Sequence, residues 1–317
     1  MRGIAADLAH ALREIVVPRL GAEDGRAHAR ESAGGDVTFA IDAEAEAFLE
    51  GWVAANAPQV AFYSEDRGLV HPGGGVGGGE FVLIVDPIDG TRPALAGLEA
   101  ACTSVALAPL RDGEPTMGDV TEGAVVEIKS GEWFAAERGA GCRASRPLAL
   151  SSNTDLERLF WVYGFTRRPA RPVVEVIGEL IDRSSLGGGV FDLGSATFDL
   201  TRILTGQLDA YVEPGARMVA EVPGMYEAFA RVGGGSVVNN SPYDLAAAAL
   251  CLEEGGAVIT DAAGGALAPY RLLGSGPQYH ISCVAASSSA LHGMLLDSVE
   301  RGMERLRALD IVAPPQP

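Results

Sequence analysis

The chain has 317 residues, 47% of them hydrophobic and 21% charged, which is enough for a sizeable core and excludes an intrinsically disordered chain. Asp and Glu number 42 against 24 Lys and Arg, and the resulting formal charge of −18 excludes electrostatic capture of nucleic acid or an anionic membrane. An anionic substrate would need something local to reverse the sign, and a bound divalent cation would do so.

In chain order, residues 4–17 read as an amphipathic helix ending at Pro18. A second helix is predicted from Asp42 to about Ala55, where Ile41, Ala45, Phe48, Leu49, Trp52 and Val53 recur at helical spacing. Residues 60–66 (VAFYSED) read as a short strand ending in acid, and 67–80 as a glycine-rich connector or flap. A strand at 81–85 stops at the Asp86-Pro87 turn, and a helix follows from about Thr91. Segments 102–110, 123–128 and 132–137 form an antiparallel run. Near residue 150 the pattern restarts, with a strand at 159–165, helices at 170–183 and 194–206, and a strand at 208–213. Residues 241–256 form a helix with Ser241 at N-cap, Pro242 at N1 and Gly255-Gly256 at its end. Strands at 257–260 and 280–285 and a helix at 287–307 complete the chain before a Pro-rich tail. Strands and helices mix without strict alternation, so the expected class is α/β or α+β, layered, in two lobes spanning 1–150 and 151–317.

The four cysteines, Cys102, Cys142, Cys251 and Cys283, show no C-x-x-C and no His partner, and read as free thiols in a reducing compartment. The first 21 residues are broken by Asp7, Arg13 and Glu14, and no stretch reaches spanning length, so the expected location is cytoplasmic. The glycines at 67–80 precede a strand and no Lys follows, which excludes both a Walker loop and a dinucleotide fingerprint. Asp86–Asp89 is not an EF-hand loop either, because Ile88 stands where a ligand is required and Gly90 comes one residue early.

Taken singly, the acids are ordinary. Glu65-Asp66 fits an acidic turn, Asp42 a helix start, and Asp244 the last position of an S-x-x-D capping box. Together they place carboxylates at strand and helix ends, where ligands collect in open sheets. Mg2+ takes such hard oxygens, keeps several waters and bridges carboxylates to a substrate phosphate. The amides of Gly90 and Thr91, at a helix start, form an anion site. With no soft ligand in the set, Mg2+ or Mn2+ should serve, and the larger Ca2+ should inhibit.

The D-P-I-D-G-T hexad (86–91), with an upstream S-E-D (64–66), the segment GSATFDLTRILTGQLDAYVE (194–213) and a downstream YDLAAA run, resembles the inositol monophosphatase family of metal-dependent phosphomonoesterases. The family includes fructose-1,6-bisphosphatases, and the resemblance spans roughly Asp36 to Gly265 in the right order. It implies a layered α-β-α-β-α sandwich of the sugar-phosphatase type and a homodimer. It also implies two or three Mg2+ ions per site, with Li+ inhibitory. Glu65, Asp86 and the Ile88 carbonyl would hold the first ion, and Asp86, Asp89 and Asp244 the second. Glu65 and Thr91 would position the attacking water, with Asp42 nearby, while the Gly90 and Thr91 amides would hold the phosphate. Gly194, Ser195 and Glu213 would contact the leaving group, although Glu213 and Asp209 read equally as acids on strand ends. This chain departs from the simple inositol phosphatases in Thr91-Arg92-Pro93, in Phe191-Asp192, in Tyr243, and in the thirty residues 214–243 between Glu213 and Asp244. The leaving group thus stays open among inositol, sugar and nucleotide-derived phosphates. A catalytically silent relative, binding metal or a partner, is the alternative.

Overall fold

Helix α1 (Ile4–Val16) buries Ala5, Leu8, Ala9, Leu12 and Val16, the single stripe that a 3.6-residue period puts on one face. A single 3-10 turn at Val17–Arg19, with Pro18 inside it, ends the element. In this computed structural model, which describes residues 3–22, 28–31, 37–72, 79–110 and 114–309, a hairpin of β1 (His28–Glu31) and β2 (Val37–Phe39) then leads into α2 (Ala40–Asn56). The hairpin was not legible in the sequence. Helix α2 begins two residues before the expected Asp42, which is its third residue and accepts from the Phe39 amide at 2.8 Å.

The first sheet has seven strands. They are β3 (Ala61–Ser64), β4 (Gly68–Val70), β5 (Phe81–Asp89), β6 (Cys102–Pro109), β7 (Glu122–Glu127), β8 (Trp133–Glu137) and β9 (Gly141–Ala144), ordered β4-β3-β5-β6-β7-β8-β9. Only the β3–β5 pair is parallel. Two expectations are corrected here. The supposed connector at 67–80 begins as strand β4, paired antiparallel to β3, while 73–78 lie outside the described residues. Strand β5 does not stop before Asp86 but runs to Asp89, with a bulge in its pairing to β6 between Asp86 and Asp89. Pro87 lacks the N–H that an unbroken ladder needs, and a bulge is where a strand tolerates proline. Thr103 Oγ1 donates to the Pro87 carbonyl at 3.1 Å, which secures the irregular stretch.

After α3 (Thr91–Ala96) and the first sheet, a second sheet of five strands follows: β10 (Phe160–Val162), β11 (Gly189–Phe191), β12 (Ala210–Glu213), β13 (Val258–Thr260) and β14 (Cys283–Ala286), ordered β11-β10-β12-β14-β13. Its helices are α4 (Ala170–Ser184), α5 (Ala196–Leu204), α6 (Gly215–Glu221), α7 (Met225–Val232), α8 (Pro242–Glu254) and α9 (Ser289–Ala308). Within the segment 214–243 the chain folds as α6 and α7 and buries Met218, Met225 and Phe229. The expected strand at 280–285 is shorter and later, because Pro277–Tyr279 forms a 3-10 turn.

Strand periodicity assigns the layers. Leu83 and Val85 of β5 pack with α1 and α2, whereas Val82 and Ile84 face α8 and α5. Across α8, Val162, Tyr211, Cys283 and Ala285 of the second sheet join the same core. Their neighbours Trp161, Ala210, Val212 and Val284 face α4 and α9 on the far side. The order is therefore helices, sheet, helices, sheet, helices: a mixed α/β sandwich of five layers. No helix among the described residues is long and apolar enough to cross a membrane.

Candidate active site

Parallel pairing of β3 and β5 matches Ser64 with Val85, so the next residues, Glu65 and Asp86, emerge side by side at the carboxyl ends of the two strands. The bulge beyond Asp86 then turns Asp89 toward the same place. From the second half of the chain, α8 brings Asp244 in its first turn. Asp86, Asp89 and Asp244 converge, each offering a carboxylate oxygen within 4.8 Å of the others. They line a cavity of about 430 Å³ together with Glu65, Asp42, Gly90, Thr91 and Ser195. Glu65 lies in this wall but not within the three-carboxylate cluster.

Each member is held by a local device. Asp86 Oδ1 accepts from the Ile88 amide at 3.0 Å, the Ile88 side chain packs in the core, and its carbonyl lies 3.1 Å from the Thr91 hydroxyl. Asp89 Oδ2 accepts from the Thr197 amide at 2.6 Å, from Ser195 Oγ at 2.8 Å and from the Thr197 hydroxyl. The start of α5 thus orients this carboxylate; Gly194 and Ser195 both line the cavity, and Ser195, only 2% exposed, spends its hydroxyl on Asp89. Asp244 Oδ2 accepts from the Ser241 amide at 2.6 Å, so the capping box is real. The same residue reaches the cluster, and the two readings of Asp244 are compatible.

Thr91 opens α3 after Gly90, whose φ of 90° belongs to the left-handed region that glycine favours. The first bond inside that helix runs from Ala94 N to Gly90 O at 3.0 Å, so the helix does not consume the amides of Gly90 and Thr91. The Thr91 hydroxyl lies 3.1 Å from Asp42 Oδ1 and 3.1 Å from the Ile88 carbonyl.

The electrostatics follow from the crowding. Burial first, and then the charges of Asp89, Asp244 and Glu65, push the Asp86 carboxyl well above the usual range. Asp244 is raised by burial and by Asp89, and Asp89 by burial against the hydrogen bonds from α5. No ion pair among the described residues ends on any of the three. Three hard carboxylates that repel one another in a recess are the donor set a small divalent cation fits.

The opposite wall comes from the second sheet. Parallel strands β10 and β12 place Tyr211, Glu213 and the 164–168 turn at one end, and Arg168 Nε lies 2.9 Å from Glu213 Oε2. Glu213 itself is fully buried. Asp209, at the other end of β12, accepts from Phe160 N at 2.8 Å and Asn153 Nδ2 at 2.9 Å and takes no part in the cavity wall. Arg168, Asn239, Asn240 and His280 complete this wall and were not legible in the sequence. No spacing signals them; the polar Asn-Asn pair just ahead of the Ser241 cap was the one available cue.

The inositol monophosphatase family model matches residues 1–304. A relative from Methanothermobacter thermautotrophicus, named fructose-1,6-bisphosphatase/inositol-1-monophosphatase, is 26% identical over 94% of this chain and 96% of its own. A Xylella fastidiosa relative named Nus factor SuhB is 29% identical, over 50% of this chain and 56% of its own. The inositol monophosphatase structure from Anabaena superposes with a TM-score of 0.64 at 21% identity, covering 94% of each chain, a likeness of fold. With its motif residues gathered in one cavity and the family model matched nearly end to end, the chain belongs to the inositol monophosphatase family of phosphoric monoester hydrolases.

Proposed function

We propose that the protein hydrolyses a small phosphate monoester, derived from inositol, a sugar or a nucleotide, with Mg2+ as its working ion. The observation that carries this reading is the convergence of Asp86, Asp89 and Asp244 beside the Asp42–Thr91 contact. In the proposal these three carboxylates, with Glu65 and the Ile88 carbonyl, hold the ions. When bound, the ions supply Lewis acidity that polarises the phosphate, acidifies water and stabilises the leaving alkoxide.

The remaining work belongs to the chain. Thr91 directs its proton to Asp42, so its oxygen lone pairs accept a hydrogen from the attacking water and turn that water's oxygen toward phosphorus. Glu65, at the adjacent strand end, accepts the water's other hydrogen. The amides of Gly90 and Thr91 donate to the phosphate oxygens. Ser195 and Thr197 act indirectly, fixing the Asp89 carboxylate in one orientation.

The test is a phosphatase assay on inositol, hexose, glycerol and nucleoside monophosphates, with Mg2+ and then with a chelator. Turnover on at least one ester, lost on chelation and restored by Mg2+ or Mn2+, supports the reading. Metal binding without turnover on any ester supports a silent, metal-binding interaction module instead.

A further inference from the structure

Away from the carboxylate cluster, the cavity is lined in part by the segment joining α7 to α8, within the thirty residues 214–243. Within it, Asn239 is 5% exposed, lines the cavity, and has no protein partner for either Oδ1 or Nδ2. Buried amides are nearly always bonded at both atoms, because leaving them unmatched forfeits their hydration without return. Asn239 is therefore a group held ready for something that enters the cavity.

Its neighbours are arranged around it. A Cβ at Gly215, the first residue of α6, would fall 2.3 Å from Asn239 Oδ1 and 2.7 Å from Glu213 Oε1, so this close approach requires glycine there. Glu213 Oε1 accepts from the Gly215 amide at 2.8 Å, and Arg168 sits on Oε2. The segment is also fastened to the wall it faces. Asn240 Nδ2 donates to the Tyr211 hydroxyl at 2.8 Å, and the Arg167 guanidinium donates to the Gly233 carbonyl. Arg167 adopts φ 59°, an uncommon conformation for a residue with a side chain.

The chemistry of this wall selects its ligand. An amide offers one acceptor and two hydrogens, and a hydroxyl can answer both because it donates and accepts. A second phosphate or a carboxylate only accepts; it would leave Oδ1 unmatched and lie against the Glu213 carboxylate. Beside Asn239, the guanidinium of Arg168 in this wall is already faced by Glu213. His280 in the same wall is neutral, its pKa pushed down to about 4 by burial and by Arg168.

Building on the phosphatase reading, we infer that Asn239 is a specificity-determining residue whose side-chain amide hydrogen-bonds hydroxyl groups of the leaving group. The subsite is completed by Glu213 and Arg168, and the 214–243 segment delivers it. The part of the leaving group that reaches Asn239 is accordingly hydroxylated and uncharged.

The experiment compares kcat/KM for inositol 1-phosphate, glucose 1-phosphate, glycerol 2-phosphate, adenosine 5′-monophosphate and p-nitrophenyl phosphate in the wild type, Asn239→Ala and Asn239→Asp. The wild type should prefer a polyhydroxylated ester over p-nitrophenyl phosphate. In Asn239→Ala the ratio of the two should fall on the order of tenfold or more, chiefly through KM. The inhibition constant of the corresponding free polyol should rise by a similar factor. Because Asn239 makes no hydrogen bond to the protein, the Tm of Asn239→Ala should be unchanged or higher. An unchanged ratio overturns the inference, as does a parallel loss on both substrates with a lower Tm, which marks a structural role. A preference for the nucleotide, lost in Asn239→Ala, would also overturn it by assigning the amide to a base edge. A wild type with no turnover on any of these esters removes the phosphatase reading and this inference together.

Discussion

The Thr91 hydroxyl has one proton and two acceptors within reach, Asp42 and the Ile88 carbonyl, and giving it to either leaves the oxygen lone pairs to hold water. If the proton goes to Asp42 and the lone pairs hold water, Thr91→Ala should lower kcat by about 10²–10⁴-fold with little change in KM. Thr91→Ser should recover much of the loss. Steady-state kinetics on the best substrate check this, and a rise in KM at constant kcat would make the hydroxyl a binding contact. Glu46, on the buried face of α2, gives a pH prediction. Burial raises its carboxyl to about 7 despite the hydrogen bond from Ser64 Oγ at 2.8 Å. The folded chain therefore keeps a proton that the unfolded chain releases near its ordinary value of 4.5. Stability from this residue is complete below the lower value, falls as pH rises toward 7 and is level above it, a span of about 3 kcal/mol. Glu46→Gln should match the wild type near pH 4.5 and exceed it at pH 8 in urea melts; a constant difference across that range would refute the assignment. Residues of this kind mark the limit of sequence reading. Asp86, Asp89 and Asp244 stood out because their spacing from glycine, threonine and serine is chemical. Glu46 and Asn239 carry no such local mark, since only the folded chain buries one and leaves the other unmatched.

At the scale of elements, α8 tests whether one residue can serve two ends. Asp244 caps the helix through Oδ2 and joins two other acids at the cluster. Asparagine keeps an acceptor for the Ser241 amide but removes a charge from a crowded recess. Asp244→Asn should therefore cost at most about 1 kcal/mol through the cap, and relief of repulsion should hold the metal-free Tm at or above that of the wild type. Turnover should fall by orders of magnitude, and the rise in Tm on adding Mg2+ should shrink. Calorimetry with and without the ion checks both; near-normal turnover would leave only the capping role. Helices with a strong apolar stripe, such as α1 and α4, were read nearly to their ends, because their period is written locally. The hairpin of β1 and β2 and the three-residue strands β4 and β11 were missed, since elements so short exist through their pairing. Strand β5 was cut short at Asp86 for the opposite reason: Asp-Pro is a good turn signal, and pairing with β6, which continues past the end of the β3 ladder at Val85, overrode it. In α6 and α7, Met218, Met225 and Phe229 hinted at helices, but the segment was read only as an insertion and given no elements.

For the whole molecule, a chain of formal charge −18 concentrates part of its surplus in one recess, so ion binding should be felt globally. Mg2+ should raise the Tm with a logarithmic dependence on its concentration, and exhaustive chelation should lower it and abolish turnover. Ca2+ should also raise the Tm while inhibiting, and equal activity before and after chelation would end the metal-dependent reading. The five-layer order itself was implied by the family resemblance rather than by the periodicity of any strand. The position of α8 in that order has a mechanical consequence. Ala246, Ala247, Ala248 and Ala249 are each at most 3% exposed, between one sheet and the other. Along these four alanines the helix has little room: a small cavity of about 30 Å³ beside Ala246 and Ala249 is the space on that side. A larger residue at Ala247 or Ala248 must displace a sheet or slide the rod along its axis. The end of that rod is Asp244. Ion affinity should thereby act as a gauge of how tightly the two sheets are stacked, so that variation deep in the middle layer retunes the site without altering a residue that lines it.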